Sequence, residues 1–263
     1  MPFADVGNDA DTIRLHYRLD GDAARPCLVL SNSLGTDLSM WDAQAGALSA
    51  DFCVLRYDTR GHGQSDAGKS PVDLGRLGRD VVELLDHLGI AGAAFCGISM
   101  GGLTGQWLAA HAPQRVAKLV LANTAARIGT ADGWNARADQ VRSAGMGPIA
   151  DGAAARWFTP AFIERDPDTA ARLVATLRAQ DPQGYAACCD ALAGADLRGT
   201  AASIAAPTLI MAGEHDPVTT VADASWLWER IAGAQLVAVP ASHISNIEAE
   251  EAFTRALRSF LLD

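Results

Sequence analysis

One short stretch of the chain constrains its fold more than any other, the sequence GISMG at residues 97–101. The apolar residues 93–96 before it are typical of a strand, and residues 102–111 after it are typical of a helix. A strand, a sharp turn with a central Ser99 and a helix form a nucleophile elbow, in which the flanking glycines let strand and helix cross closely. The alternative is a Gly/Ser turn that matches by chance, and the flanking elements argue against it.

Other apolar segments predict strands and helices along most of the chain. Two segments, near residues 3–7 and 13–17, are candidates for an antiparallel pair. Further strands are predicted at residues 27–32, 52–58, 117–123, 208–212 and 236–239. Helical spacing occurs between them, at residues 81–88, and again at the end, at 253–262. Such alternation predicts a mostly parallel sheet with helices on both faces.

Residues 124–196 interrupt this rhythm, because they contain no convincing strand and at least one helical segment, residues 169–180. Ordinary crossover helices are the alternative, but about seventy residues is too long for one crossover. We therefore predict a helical cap over the carboxyl ends of the strands, where α/β sheets bind ligands. The core is then formed by residues 1–123 and 197–263.

Composition limits the class of protein. The chain has 263 residues, 49% of them hydrophobic, which suffices for one large domain. No apolar run reaches the roughly 20 residues of a membrane span, and residues 1–5 do not resemble a secretory signal. A net charge of −10 argues against nucleic acid or anionic membrane as a partner. The five cysteines, an odd number without a CxxC pair, predict reduced thiols in the cytoplasm and no metal site.

A serine nucleophile needs a histidine base and a carboxylate that orients it, and in this fold they follow in the order Ser, Asp or Glu, His. His243 follows the last predicted strand, and Asp216 follows the strand before it. Glu214 is the rival carboxylate, and the simpler role for Asp216 is to cap the next helix. The remaining histidines are less well placed: His16, His62, His87, His111 and His215.

The negative charge that develops during ester cleavage needs two backbone donors. One is predicted to be the N–H of Met100, directly after the serine, and the other the N–H of Leu34, in the loop after the strand at 27–32.

With these residues placed, the chain resembles the α/β-hydrolase fold family over nearly its whole length. Within it, the chain is similar to the 3-oxoadipate enol-lactonase subgroup. The segments that carry the resemblance are LSNSLGTD at 30–37, RYDTRGHGQS at 56–65, the elbow, WFTP at 157–160 and GYAACC at 184–189. Many relatives have His-Gly where this chain has Asn32-Ser33, and this departure points toward the subgroup.

The resemblance implies a cytoplasmic serine hydrolase that opens the ring of 3-oxoadipate enol-lactone, without cofactor or metal. Two other hydrolase activities fit the same triad, carbon–carbon bond cleavage of ring-cleavage products and general carboxylester hydrolysis. A small-molecule receptor on the same fold is the alternative from another class. The oligomeric state is left open.

The implied substrate carries a carboxylate, so an acidic protein needs a local cation, most simply an arginine. The cap arginines are Arg127, Arg137, Arg142, Arg156, Arg165, Arg172 and Arg178, and the sequence does not choose among them. Trp134 is predicted to line the pocket and Trp41 to wall the side of the oxyanion donors, with burial in the core as the alternative for both. We expect the segment RGHGQS at 60–65 to be a rigid turn, with Asp58 and Arg60 tying loops together.

Overall fold

The protein folds around one eight-stranded sheet, seen in a computed structural model that describes residues 2–7 and 11–263. Its strands are β1 Phe3–Val6, β2 Ile13–Asp20, β3 Cys27–Ser31, β4 Cys53–Tyr57, β5 Ala93–Ile98, β6 Val116–Ala122, β7 Thr208–Gly213 and β8 Gln235–Val239. Their order across the sheet is β1-β2-β4-β3-β5-β6-β7-β8. The pairs β1/β2 and β2/β4 are antiparallel and the others parallel, so the predicted fold class is confirmed.

Helices cover both faces of the sheet. They are α1 Asp42–Leu48, α2 Leu74–His87, α3 Met100–His111, α4 Ala131–Ala144, α5 Gly147–Asp151, α6 Ala153–Trp157, α7 Pro160–Arg165, α8 Pro167–Arg178, α9 Pro182–Gly194, α10 Val221–Trp228, α11 Ser245–Glu248 and α12 Glu250–Leu262. Short 3-10 turns occur at Leu38–Trp41, Pro113–Arg115 and Ala201–Ser203. None of the helices in the described part of the chain is long and apolar enough to cross a membrane.

The central strands β3, β4, β5 and β7 are buried along their whole length. Their side chains alternate between two hydrophobic clusters, one on each face of the sheet. This is why the strands are continuous apolar runs in the sequence rather than alternating ones. The cluster on one face continues into the segment between β6 and β7, so the core and this segment share apolar contacts.

The segment between β6 and β7 contains the six helices α4–α9 and no strand, as predicted. We call residues 131–194, which contain these helices and the turns between them, the cap. The cap meets the core at a glycine pair, where a Cβ added to Gly61 would lie 2.4 Å from the Cα of Gly184. Gln180 bridges the same junction, because it accepts from the N–H of Gly63 and donates to the carbonyl of Gly35. The division at residues 123/124 and 196/197 stays a prediction.

Sequence patterns placed the elements well but not all of their ends. Helix α2 begins at Leu74, seven residues before the predicted start, because Asp73 caps it by accepting from the N–H of Arg76. Helix α8 spans Pro167–Arg178 rather than 169–180, since Asp166 caps it and a proline occupies its first turn. Strand and helix boundaries elsewhere differ by a few residues at most.

Candidate active site

The turn at Ser99 has the strained geometry that the sequence predicts. Ser99 has φ 58° and ψ −114°, outside the conformations that most residues adopt, and it directly precedes helix α3. A Cβ on Gly97 would lie 2.2 Å from the carbonyl oxygen of Gly101, and a Cβ on Gly101 would lie 2.4 Å from that of Ser31. Both glycines are therefore required for the crossing that presents the serine at the helix N-terminus.

Asp216 and His243 are brought together by the loops after β7 and β8. The His243 Nδ1 lies 2.8 Å from the Asp216 Oδ2, and both side chains are almost fully buried. With the carboxylate ionised, Nδ1 carries the hydrogen and Nε2 is left as the basic nitrogen. His243 and Ser99 line the same cavity, so the arrangement suits a triad, although the catalytic roles remain predictions.

The carboxylate of Asp216 is held as an anion. Burial on its own raises the pKa of this carboxyl, but hydrogen bonds from His243, Asn123 and Thr219 outweigh burial and leave the pKa below its usual value. Its Oδ1 also accepts from the N–H groups of Val218 and Thr219. The simpler role for this residue, capping the next helix, is wrong, because α10 is capped by the Thr220 side chain.

Sequence reasoning did not single out Asn123, which lies directly after β6 and contacts Asp216. Its Nδ2 donates to the Asp216 Oδ2 at 2.9 Å and to the carbonyl of Ser242 at 3.0 Å. Its Oδ1 accepts from the hydroxyl of Ser245. Asn123 has φ 43°, in the left-handed region that asparagine tolerates better than most residues. A polar residue at the carboxyl end of a buried strand was the available signal.

The predicted oxyanion donors belong to two different elements, the loop after β3 and the first turn of α3. Leu34 and Ser33 line the cavity together with Ser99, while Met100 is the first residue of α3. The loop before Leu34 is anchored to the elbow, since the Asn32 carbonyl accepts from the N–H of Gly101 at 3.1 Å. That anchoring keeps the loop and the helix N-terminus in register, which suits a preorganised anion site.

Trp41 does not have the position in the cavity wall that the sequence predicts. Its side chain is fully buried and does not line the cavity. Instead its Nε1 donates to the Asn32 Oδ1 at 3.0 Å, and its ring packs against Phe253. The side-chain amide of Asn32 donates in turn to the carbonyl of Tyr57. Trp41 therefore supports the loop that contains Asn32 and Leu34, through its hydrogen bond to the Asn32 side chain.

The cavity has a volume of about 410 Å³ and lies between core and cap. Its core lining is Ser33, Leu34, Ser99, Pro217, Val218 and His243. Its lining from the segment between β6 and β7 is Ile128, Gly129, Thr130, Gly133, Trp134, Arg137, Arg156, Trp157, Leu177 and Tyr185. Trp134 is thus placed in the lining as predicted, and its Nε1 donates to the carbonyl of Ile128 at 2.6 Å. The core supplies the candidate reacting groups, and the cap supplies most of the wall.

Of the seven arginines in the inserted segment, two face this cavity, Arg137 and Arg156. The Arg137 guanidinium stacks 4.8 Å from the centre of the Trp134 ring. Arg156 donates to the carbonyl of Ile149, and burial together with the charge of Arg137 lowers the pKa of Arg156. Within residues 2–7 and 11–263, no carboxylate forms an ion pair with either of these arginines.

The other five arginines have positions that do not suit this role. Three of them pair with exposed or half-exposed aspartates: Arg127 with Asp196, Arg142 with Asp190 and Arg178 with Asp151. Arg165 donates to the backbone of Glu248 at the edge of the cap, and Arg172 is exposed. The sequence could not make this selection, because it depends on which helix faces point to the core.

Tyr185 places a neutral hydroxyl beside these arginines. Burial raises the pKa of Tyr185 to about 12, although Arg137 lowers it in part through its charge and a hydrogen bond. The phenol therefore stays protonated at neutral pH and can donate a hydrogen bond.

The segment at 60–65 has the structural role predicted for it. Asp58 accepts from the N–H groups of Leu38 and Gln64, and Arg60 forms a two-bond ion pair with Asp80. His62 is buried outside the cavity lining, and burial lowers the pKa of His62. These residues hold loops of the core in place rather than facing the candidate site.

Comparisons with known proteins agree with this geometry. A family model described as the alpha/beta hydrolase fold matches residues 26–250. The chain is 50% identical to 3-oxoadipate enol-lactonase 2 of Acinetobacter baylyi, over 96% of this chain and 94% of that protein. It is 44% identical to 3-oxoadipate enol-lactonase 1 of the same organism, over 94% and 92%.

A solved structure, the enol-lactonase from Burkholderia xenovorans LB400, superposes with a TM-score of 0.96 at 48% identity and covers 100% of both chains. The match extends over core and cap alike. The chain belongs to the α/β-hydrolase fold family.

Proposed function

We propose that the protein is a 3-oxoadipate enol-lactonase, a serine hydrolase that opens the ring of 3-oxoadipate enol-lactone to give 3-oxoadipate. One observation carries the proposal: a single cavity contains both the Ser99 and His243 pair and two arginines without a carboxylate partner among the described residues. The near full-length similarity to two proteins named as 3-oxoadipate enol-lactonases supports the same substrate.

The reaction follows from the order of the groups. His243, oriented by Asp216, takes the proton of the Ser99 hydroxyl as its oxygen attacks the lactone carbonyl. The N–H groups of Leu34 and Met100 hold the resulting oxyanion. The ring C–O bond then breaks, and the enolate formed stays on the chain that is now esterified to Ser99. The enolate takes up the proton that His243 holds and becomes a ketone. Neutral His243 then removes a proton from water as the water attacks the acyl-enzyme, and it returns this proton to the Ser99 oxygen as 3-oxoadipate is released with its second carboxylate.

The arginine pair explains how a strongly acidic protein could accept an anionic substrate. With a net charge of −10, the surface as a whole repels a carboxylate. Arg137 and Arg156 supply positive charge inside a partly buried cavity, where ionic hydrogen bonds are stronger than in water. We assign to them the carboxylate that the lactone carries on its side chain, and to Trp134 the apolar face of the ring.

We further infer that the protein works in the cytoplasm on a small molecule, not on nucleic acid or a membrane. All five cysteines are free and buried, which suits a reducing compartment. Burial raises the pKa of every one of these thiols above its usual value, so they are not reactive thiolates.

The test is the rate of loss of 3-oxoadipate enol-lactone with purified protein, beside the variant Ser99→Ala. We expect rapid loss with the parent and a reduction of at least ~10⁴-fold in the variant, because the nucleophile is removed. The variant should unfold at the temperature of the parent. If lactone is not consumed but p-nitrophenyl acetate is, the serine role stands and the substrate is wrong. Inactivity on both would favour a receptor instead.

A further inference from the structure

Glu248 is a buried carboxylate close to the candidate base that the mechanism above does not use. It ends the short helix α11, five residues after His243, and is 8% exposed. It does not line the cavity. Its Oε2 accepts from the N–H of Ser242 at 2.8 Å, the residue directly before His243. The carboxylate therefore holds the backbone on one side of the histidine.

The same carboxylate also holds the cap. Its Oε1 accepts from the N–H of Thr159 at 3.2 Å and from the Thr159 hydroxyl. Thr159 lies in the cap between α6 and α7 and caps α7 by accepting from the N–H of Phe162. Glu248 thus connects a cap segment to the loop of the candidate base with one hydrogen-bonded side chain.

A second contact joins the same two segments on the other side of the histidine. The N–H of Ile244, directly after His243, donates to the carbonyl of Trp157 at 3.1 Å. Trp157 lies two residues before Thr159, and its side chain lines the cavity. Both neighbours of His243 are consequently tied to the segment 157–159, one directly and one through Glu248.

The chemistry of a carboxylate suits this bridge. Three donors converge on it, one from the core and two from Thr159, and an ionised carboxylate offers two oxygens with several acceptor positions. A glutamine offers one oxygen, and its amide group would face a donor. Within residues 2–7 and 11–263 the Glu248 carboxylate forms no ion pair, and the three donors that converge on it are neutral.

We propose that Glu248 is a positioning residue for His243, which transmits the placement of the cap segment 157–159 to the base. This inference rests on the proposed roles of Ser99 and His243. It predicts that the cap does more than bind substrate, because loosening its contact with Glu248 slows the chemistry even for a substrate that does not touch the arginines.

The experiment compares Glu248→Gln, Thr159→Val and Thr159→Ser with the parent. Glu250→Gln is the matched control, since Glu250 is exposed and its substitution removes the same charge two residues away. Two readouts are used: kcat and KM for p-nitrophenyl acetate, and the rate at which a fluorophosphonate labels Ser99. Neither depends on the lactone, so a wrong substrate assignment does not affect the test.

We expect Glu248→Gln to lower kcat and the labelling rate by the same factor, ~10- to 100-fold, with KM within twofold of the parent. Thr159→Val should give a smaller loss of both rates. Thr159→Ser should keep the rates of the parent because serine retains the hydroxyl. Glu250→Gln should also keep them. Adding Thr159→Val to Glu248→Gln should cause little further loss, since both act through one contact.

A folded Glu248→Gln protein with kcat and labelling rate within twofold of the parent would overturn the proposal, as would a loss confined to KM. If Glu248→Gln does not fold, the test is the comparison of Thr159→Val with Thr159→Ser. Equal rates for these two variants would overturn the proposal. If the parent itself neither hydrolyses the ester nor reacts with the fluorophosphonate, the proposed function fails instead.

Discussion

The core and the cap differ in whether their arginines have carboxylate partners. In the core, Arg56 pairs with Asp20 and Asp42, and Arg60 pairs with Asp80. In the cap, the two arginines that face the cavity have no carboxylate partner in the part of the chain that the structure describes. Burying a charge is costly unless it is paired, and the two core arginines have aspartate partners. The half-buried cap arginines instead carry charges that an anionic ligand can satisfy.

From this difference we infer that the core carries out the reaction and that the cap selects the substrate. Core groups such as Asp216 are already saturated with hydrogen bonds, which is what preorganisation of a reacting group requires. The two cap arginines have no carboxylate partner among the described residues, so we expect them to be available to a substrate carboxylate. Changes in the core should therefore affect all esters equally, and changes in the cap arginines should affect only substrates that carry a carboxylate.

The largest expected effect is in the core, from Asp216→Asn. An asparagine amide can donate to Nδ1 and so favours the wrong tautomer of His243, which lowers kcat by ~10⁴-fold in a comparable triad. The loss should be the same for the lactone and for p-nitrophenyl acetate, measured by steady-state kinetics. A loss seen with only one of the two substrates would contradict an orienting role.

A smaller and selective effect is expected in the cap, from Arg137→Gln. Losing an ionic hydrogen bond of about 1.5–3 kcal/mol should lower kcat/KM for the lactone by roughly 10- to 150-fold. The rate on neutral p-nitrophenyl acetate should stay within about twofold of the parent, since uncharged esters make no such bond. Arg142→Gln is the matched control, because Arg142 pairs with Asp190 away from the cavity. Equal losses on both substrates would refute the assignment.

Trp41→Phe tests whether Trp41 stabilises the fold or contacts the substrate. The change leaves the Asn32 Oδ1 as a buried acceptor without its donor, so the free energy of unfolding should fall by about 1–3 kcal/mol. The ratio of the rates on lactone and p-nitrophenyl acetate should not change, because Trp41 does not line the cavity. A change in that ratio would instead support the contact between Trp41 and substrate that the sequence suggested.

The smallest effect concerns acid stability. The folded-state pKa of Asp216 lies below its unfolded value, so its contribution to stability is complete above about pH 4 and is lost as pH falls through the folded pKa. The difference in unfolding free energy between the parent and Asp216→Asn, measured by urea unfolding from pH 6 to pH 3, should therefore shrink as pH falls. A difference that stays constant over this range would contradict the lowered pKa.

Much of the fold could be predicted because its determinants are local. The elbow needs glycines at 97 and 101 whatever surrounds it, and buried parallel strands must be apolar along their length. Asp216 and His243 could be located because a known chain order links them to strand ends. The position of Trp41 was predicted wrongly for the opposite reason, since it depends on distant parts of the chain. An aromatic residue in such a loop has the same sequence pattern whether its side chain lines a cavity or is buried in the core.

By itself the sequence determined the sheet, the elbow, the helical insertion and the candidate triad, since each depends on periodicity, on backbone sterics or on position along the chain. Only the tertiary structure decided which two of seven arginines enter the cavity and which carboxylate, Glu248, bridges His243 to the cap. The choice of arginines depends on which helix faces point to the cavity, and the bridge depends on a contact between Thr159 and Glu248, 89 residues apart in the chain. No local pattern encodes either.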